Sequence, residues 1–163
     1  MKSSKWNTLI ATALLTMSLS SQAADIEVHH AYLNAPPPVS TITAGYFMLH
    51  NNTAASVTLV RFSSPVAQKV ELHKTTHNNG QMKMRKMGPL HIDGHSTVEL
   101  SPGGMHLMLI KLNKNIAPGD TVPITLHFKN GTNITVSANV RDLREAPKRM
   151  DHKQHRHGDH QQH

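Results

Sequence analysis

Four side chains in the middle of this chain carry donor atoms that soft metal ions prefer. Ten residues separate His73 from Met84, twenty-one separate Met84 from His106, and Met108 follows two positions later. Two imidazoles and two thioethers form a neutral donor set, and soft sulfur donors select Cu(I) over harder divalent ions. The chain contains no cysteine, so no thiolate competes for the metal. The spacing therefore predicts a Cu(I) site.

β-strands must bring these four side chains together. Residues two apart in a strand share a face, so His106 and Met108 are expected to point the same way, with their neighbours turned towards the core. His73 ends another predicted strand. The Asn79-Gly80 turn that follows it can fold the chain back and bring Met84 close to His73.

The domain as a whole has an all-β pattern. Short β-rich runs are separated by Asn-Gly, Asp-Gly and Pro-Gly turn signals, which is typical of a β-sandwich or a β-barrel. Without cysteine the domain has no disulfides, so its hydrophobic core must stabilise it alone. The predicted strands span residues 26–33, 45–50, 57–62, 66–73, 81–87, 97–100, 105–112, 122–128 and 132–140.

Residues 1–23 have the pattern of a secretory signal peptide. Lys2 and Lys5 precede an apolar stretch at residues 9–19, which is too short to cross a bilayer about 30 Å thick. Small residues follow, so cleavage is expected after Ala23 or Ala24. We therefore expect a periplasmic protein with no stable membrane insertion after cleavage and, because it has no cysteine, no lipid anchor.

Apolar residues nearly vanish after residue 140, which divides the rest of the chain into a domain at residues 24–140 and a tail at residues 141–163. So polar a tail cannot bury enough apolar surface to order itself without metal. Imidazoles suit Cu(II), Zn(II) and Ni(II), with Cu(II) favoured. We predict a flexible tail that captures Cu(II); an unspecific zinc or nickel binder and a solvated tail without a role are the alternatives. The candidate tail ligands are His152, His155, His157, His160 and His163.

The sequence around the candidate core ligands resembles a known family. Val70-Glu71-Leu72-His73 stands at the start of the pattern, and Pro102-Gly103-Gly104-Met105 leads into its last two members. Over residues 25–140 the chain resembles the periplasmic copper chaperones called PCu(A)C. That resemblance implies a cupredoxin-like β-sandwich or barrel with one Cu(I) near its surface. The ligands it implies are His73, Met84, His106 and Met108.

The same resemblance implies partners. Copper would pass towards the dinuclear centre in the copper domain of cytochrome c oxidase, or to a thiol-containing copper assembly factor. Met82 and Met87 flank Met84 and are either auxiliary ligands or packing and solvent-facing side chains. Four neutral donors fill the coordination shell and leave no open position for a substrate, which favours a carrier over an enzyme.

Composition and the lack of catalytic motifs reduce the number of functional classes to which this protein could belong. The net charge of +7 falls to +5 without the two leader lysines, the basic residues are scattered, and six aromatic residues provide no platform for nucleic-acid bases. Neither a Gly-x-Ser-x-Gly nor a His-Glu-x-x-His motif is present, so no catalytic residue is predicted. A copper buffer or resistance protein without a dedicated acceptor and an adhesive β-domain remain as alternatives, and a monomer is favoured. His29 and His30 lie too far from the mature N-terminus for an amino-terminal copper motif. The remaining histidines are expected at the surface: His50, His77, His91, His95 and His127.

Overall fold

Residues 25–143 are described by a computed structural model, in which they form ten β-strands and no helix. The predicted leader and the five tail histidines lie outside these residues. That range also contains no helical segment with the length and apolar character needed to span a membrane. The strands are β1 (Ile26–Asn34), β2 (Ile42–Asn51), β3 (Val57–Ser63), β4 (Ala67–Asn78), β5 (Gln81–Lys86), β6 (Leu90–Ile92), β7 (Thr97–Leu100), β8 (Met105–Leu112), β9 (Thr121–Phe128) and β10 (Asn133–Arg141).

Seven of the strands close into a barrel, in the order β4, β8, β2, β1, β10, β9 and β3. The barrel closes where Phe62 of β3 pairs with Val70 of β4. Neighbouring strands are antiparallel except β1 and β10, which run parallel. The short strands β5, β6 and β7 add to the outside of this ring by pairing with β4, β3 and β2.

Alternation along the strands separates the interior of the barrel from its outer surface. The hydrophobic core contains Leu72 of β4 and both Leu107 and Leu109 of β8. The residues next to these leucines along each strand therefore point outward. Gly45 of β2 lies against the same core. A Cβ at this position would stand 2.6 Å from Cδ2 of Leu33, which is fully buried. Glycine therefore allows β2 to pack tightly between β1 and β8.

The all-β class predicted from the sequence is confirmed, and the closed barrel is the architecture formed. β4 is longer than predicted: it continues past His73 to Asn78. Beyond Thr75 it pairs only with β5, and the two strands form a ribbon that ends in a two-residue turn at Asn79 and Gly80. Both turn residues have positive φ, which favours Asn-Gly. The sequence does not predict β6, because three residues carry too little pattern.

Candidate metal centre

The four candidate core ligands lie on the outer face of β8, β4 and β5, which we call the donor face. His73 of β4 pairs directly with His106 of β8. Met108 is two residues further along β8 and shares the face of His106. Met84 of β5 pairs with Thr75, which is two residues beyond His73. Strand register thus places all four side chains on one continuous face of the sheet, three on the barrel wall and Met84 on the ribbon.

The two imidazoles form the buried base of the donor face. Their ring centroids are 6.1 Å apart and the rings are inclined by 35°. Metal–imidazole bonds are about 2 Å long, so one ion fits between two rings at this separation. His106 is only 6% exposed, and the side chain of His73 is 15% exposed. The pair therefore offers a metal ion a position largely shielded from water.

Glu71 determines which nitrogen of His73 is free. His73 Nε2 lies 3.1 Å from Glu71 Oε2, and Lys86 Nζ donates to Glu71 Oε1 at 2.7 Å. The hydrogen bond from Lys86, and then that from His73, lowers the pKa of Glu71 below its ordinary value. The carboxylate is thus ionised at neutral pH and can only accept hydrogen bonds. Nε2 of His73 carries the proton, and Nδ1 keeps its lone pair.

That lone pair has no partner. Among residues 25–143, His73 Nδ1 is the one buried side-chain nitrogen or oxygen that makes no hydrogen bond. A buried polar atom left unsatisfied costs about 1–3 kcal/mol. A metal ion bound to Nδ1 would remove this cost. The orphaned nitrogen is therefore suited to ligation.

His106 is held through its other nitrogen. Its Nδ1 lies 3.2 Å from the carbonyl oxygen of Gly104, which can only accept, so Nδ1 donates and Nε2 is free. Histidines that bind metals usually donate their second nitrogen to a carboxylate or a backbone carbonyl. On the donor face, His73 donates to a carboxylate and His106 donates to a backbone carbonyl. The ring of Tyr46 lies beside His106, and burial raises the pKa of its phenol, so this neighbour stays uncharged.

The two thioethers lie on different elements beside His106. Met84, His106 and Met108 line one shallow pocket of about 200 Å³, whose rim includes Pro37 from the β1–β2 connection and Leu143. Met108 is partly buried against the barrel wall, whereas Met84 is 54% exposed on the ribbon. One sulfur is therefore fixed by the barrel, and the other is open to solvent.

The structure brings together all four residues that the sequence predicts as core ligands, and their binding of metal stays a prediction. Of the flanking methionines, Met87 packs partly buried against the hydrophobic core, and Met82 is 70% exposed. Sequence reasoning missed the contributions of Glu71 and Gly104. Each stands two residues before a candidate histidine. Strand alternation carried the signal for Glu71, whereas Gly104 acts through its backbone carbonyl outside β8, which no side-chain pattern predicts.

Histidines and carboxylates alone do not form a metal site within the described range: no group of three or more of them is suitably placed. The thioethers are therefore needed to complete the candidate centre. The five histidines expected at the surface are all exposed or partly exposed. The predicted tail site lies beyond the described residues.

Known structures share this barrel. The copper-bound PCuAC domain from PmoF2 superposes with a TM-score of 0.62 at 22% sequence identity, over 74% of this chain and 96% of that domain. The solution structure of CuI-DR1885 from Deinococcus radiodurans has a TM-score of 0.61 at 33% identity, over 76% of this chain and 83% of that protein. The fold is that of the PCuAC domains, which confirms the resemblance found in the sequence.

Sequence comparison gives the family. The profile described as "Putative lipoprotein LpqE-like" matches residues 26–140, and the chain belongs to this LpqE-like family. A relative in Leifsonia xyli subsp. xyli, "Putative lipoprotein Lxx21020", is 30% identical over 123 residues, covering 75% of this chain and 73% of the relative.

Proposed function

We propose that this protein is a periplasmic copper chaperone that binds Cu(I) through His73, Met84, His106 and Met108. It delivers the metal towards the copper centre of cytochrome c oxidase, either to the copper domain of the oxidase or to a thiol-containing assembly factor. Copper is the cargo of this protein and not a catalytic cofactor.

One observation carries the proposal: two paired imidazoles each have one nitrogen engaged by an acceptor and the other free, with two thioethers beside them. His73 is held by Glu71 and His106 by the Gly104 carbonyl. These contacts orient the rings before metal arrives, which lowers the entropic cost of binding. Neutral sulfur and nitrogen donors favour Cu(I) among the common metal ions.

The same donors suit a carrier better than an enzyme. A shell filled by four protein ligands leaves no position for water or substrate, which catalytic metal sites keep open. Blue-copper electron transfer uses a cysteine thiolate, and the chain has no cysteine. The structural relatives with this barrel are PCuAC domains, described with and without copper. The name "putative lipoprotein" of the family and of a relative supports export, in line with the predicted signal peptide.

Binding is tested by anaerobic Cu(I) titration against a chromophoric competitor. We expect one tight equivalent in the mature protein and its loss in the double variant Met84→Ala, His106→Ala. A chain ending after Leu143 should keep this equivalent, because β10 extends to Arg141 and Leu143 lines the pocket. If affinity disappears with the tail and survives in the double variant, the protein is a histidine-based metal buffer and the core proposal is wrong.

Delivery needs a separate measurement. The loaded protein is mixed anaerobically with an oxidase copper domain or with a reduced thiol assembly factor, and transfer is followed over time by separating the two proteins and measuring the copper bound to each. A chaperone passes Cu(I) faster than its spontaneous release to a chelator allows. Equal rates for both routes would favour the alternative of a periplasmic copper buffer or resistance protein without a dedicated acceptor.

A further inference from the structure

The ribbon formed by β4 and β5 carries a second pair of soft donors, His77 and Met82, which we call the outer pair. These residues are directly opposite in the strand register. Side chains so placed have Cβ atoms about 4.5–5.5 Å apart and can touch the same ligand. In the sequence the two residues stand on either side of a turn, and only the pairing makes them neighbours.

The outer pair is free to bind. His77 is exposed and Met82 is 70% exposed, and within residues 25–143 the imidazole of His77 has no hydrogen bond, ion pair or ring contact that would occupy it. Both side chains share the donor face with Met84, which is two residues from Met82 along β5. At a strand rise of about 3.4 Å per residue, the outer pair is about 7 Å from the row that contains Met84.

The two faces of the ribbon differ in chemistry. On the ribbon, the donor face carries His77, Met82 and Met84, and its one charged side chain, that of Lys86, is bonded to Glu71. The opposite face carries Lys83 paired with Thr76, and Arg85 paired with Lys74. Cationic side chains are a common protection of exposed sheet edges, and β5 is an edge strand. Protection of the edge accounts for the charged face. It does not account for an exposed methionine opposite an exposed histidine.

The structure assigns to the outer pair a second, weaker Cu(I) site with one thioether and one imidazole ligand. This inference rests on the proposed copper-carrying function, since it supplies an outer position for the same cargo. No oxidation or reduction is involved: the ion stays Cu(I) and exchanges one protein ligand for another. From the outer pair, the next thioether along the donor face is that of Met84, at the rim of the pocket.

The test is an anaerobic titration of the full mature protein with Cu(I), followed by NMR of ¹³C-labelled methionine methyl groups. Met82→Leu assigns the signal of Met82. We expect the first equivalent to shift the signals of Met84 and Met108, and the Met82 signal to shift as further metal is added. Metal is added until the tail signal of Met150 stops changing, so competition from the tail cannot hide the outer site.

His77→Gln should weaken the response of Met82 about tenfold or more, because one of its two ligands is gone. The matched control is Thr76→Gln, which alters the neighbouring pair on the opposite face and should leave the response unchanged. A Met82 signal that stays in place while those of Met84 and Met108 shift overturns the outer site and leaves the proposed function intact. A Met82 response that is the same in His77→Gln also overturns it. If the signals of Met84 and Met108 themselves stay in place, the proposed function fails.

Discussion

The barrel wall and the ribbon contribute to the donor face in different ways. On the wall, His106 and His73 are buried or nearly so, directly paired, and each held by a hydrogen bond to a neighbouring acceptor. On the ribbon, all six residues of β5 are exposed. One of them is Met84, whose unbranched thioether side chain is flexible. For the proposed Cu(I) site, this difference predicts a division of work: the held imidazoles would set the affinity for the metal, and the exposed thioether would allow it to leave.

The most direct test of this difference between wall and ribbon is to remove the buried imidazole of His106. His106→Ala should lower Cu(I) affinity by more than about 100-fold, because it removes a ligand whose orientation is fixed before binding. Competitive titration measures the change. His91→Ala, at an exposed histidine of β6, is the control and should bind like the parent protein. A loss below tenfold would show that the wall does not set the affinity.

Removing the hydrogen-bond acceptor of His73 tests whether the oriented imidazoles of the barrel wall set the affinity, and it leaves all four candidate ligands in place. Glu71→Gln should lower Cu(I) affinity about 10- to 100-fold, since the ionised acceptor that orients the imidazole is lost. The chain offers a matched control in Glu27→Gln, because Glu27 makes the same contact with His29, at 3.0 Å, away from the donor face. Equal affinities for the two variants would mean that the contact between Glu71 and His73 is incidental.

The rigidity of the wall itself can be tested at Gly45. Gly45→Ala places a Cβ 2.6 Å from Cδ2 of the fully buried Leu33, and should lower the free energy of unfolding by about 1–3 kcal/mol. Chemical denaturation of the metal-free protein measures this loss. Gly88→Ala is the control, since no atom lies within 4 Å of its Cβ position and its φ is not in the left-handed range.

The smallest effect is expected at the exposed thioether. Met84→Leu should weaken Cu(I) binding by only about tenfold, or about 1.4 kcal/mol, and mainly through faster release. Stopped-flow transfer to a chelator separates release from uptake. Met87→Leu, at a nearby methionine that packs on the core, should leave the release rate unchanged. If Met84→Leu matched His106→Ala in its effect, the division between wall and ribbon would not hold.

Much of the candidate centre could be predicted from the sequence because strand alternation is local. Spacing alone puts His106 and Met108 on one face of a strand. The Asn-Gly turn predicts the hairpin that brings Met84 back towards His73. The same rule would have found Glu71 before His73. It could not have found the pairing of His73 with His106, because these residues are thirty-three positions apart and their register depends on how β4 meets β8.

The sequence by itself determined the all-β class, the donor types and the resemblance to the PCu(A)C proteins, since these depend on composition, period-two patterning and motif spacing. Only the tertiary structure decided that the sheet closes into a barrel, because the ring needs pairings between distant segments, such as β4 with β8 and β3 with β9, besides the short-range contact of β3 with β4. It also decided which thioether is exposed, because Met108 packs on the barrel wall whereas Met84 lies on the ribbon. That difference depends on where the ribbon leaves the barrel, and no local pattern specifies it.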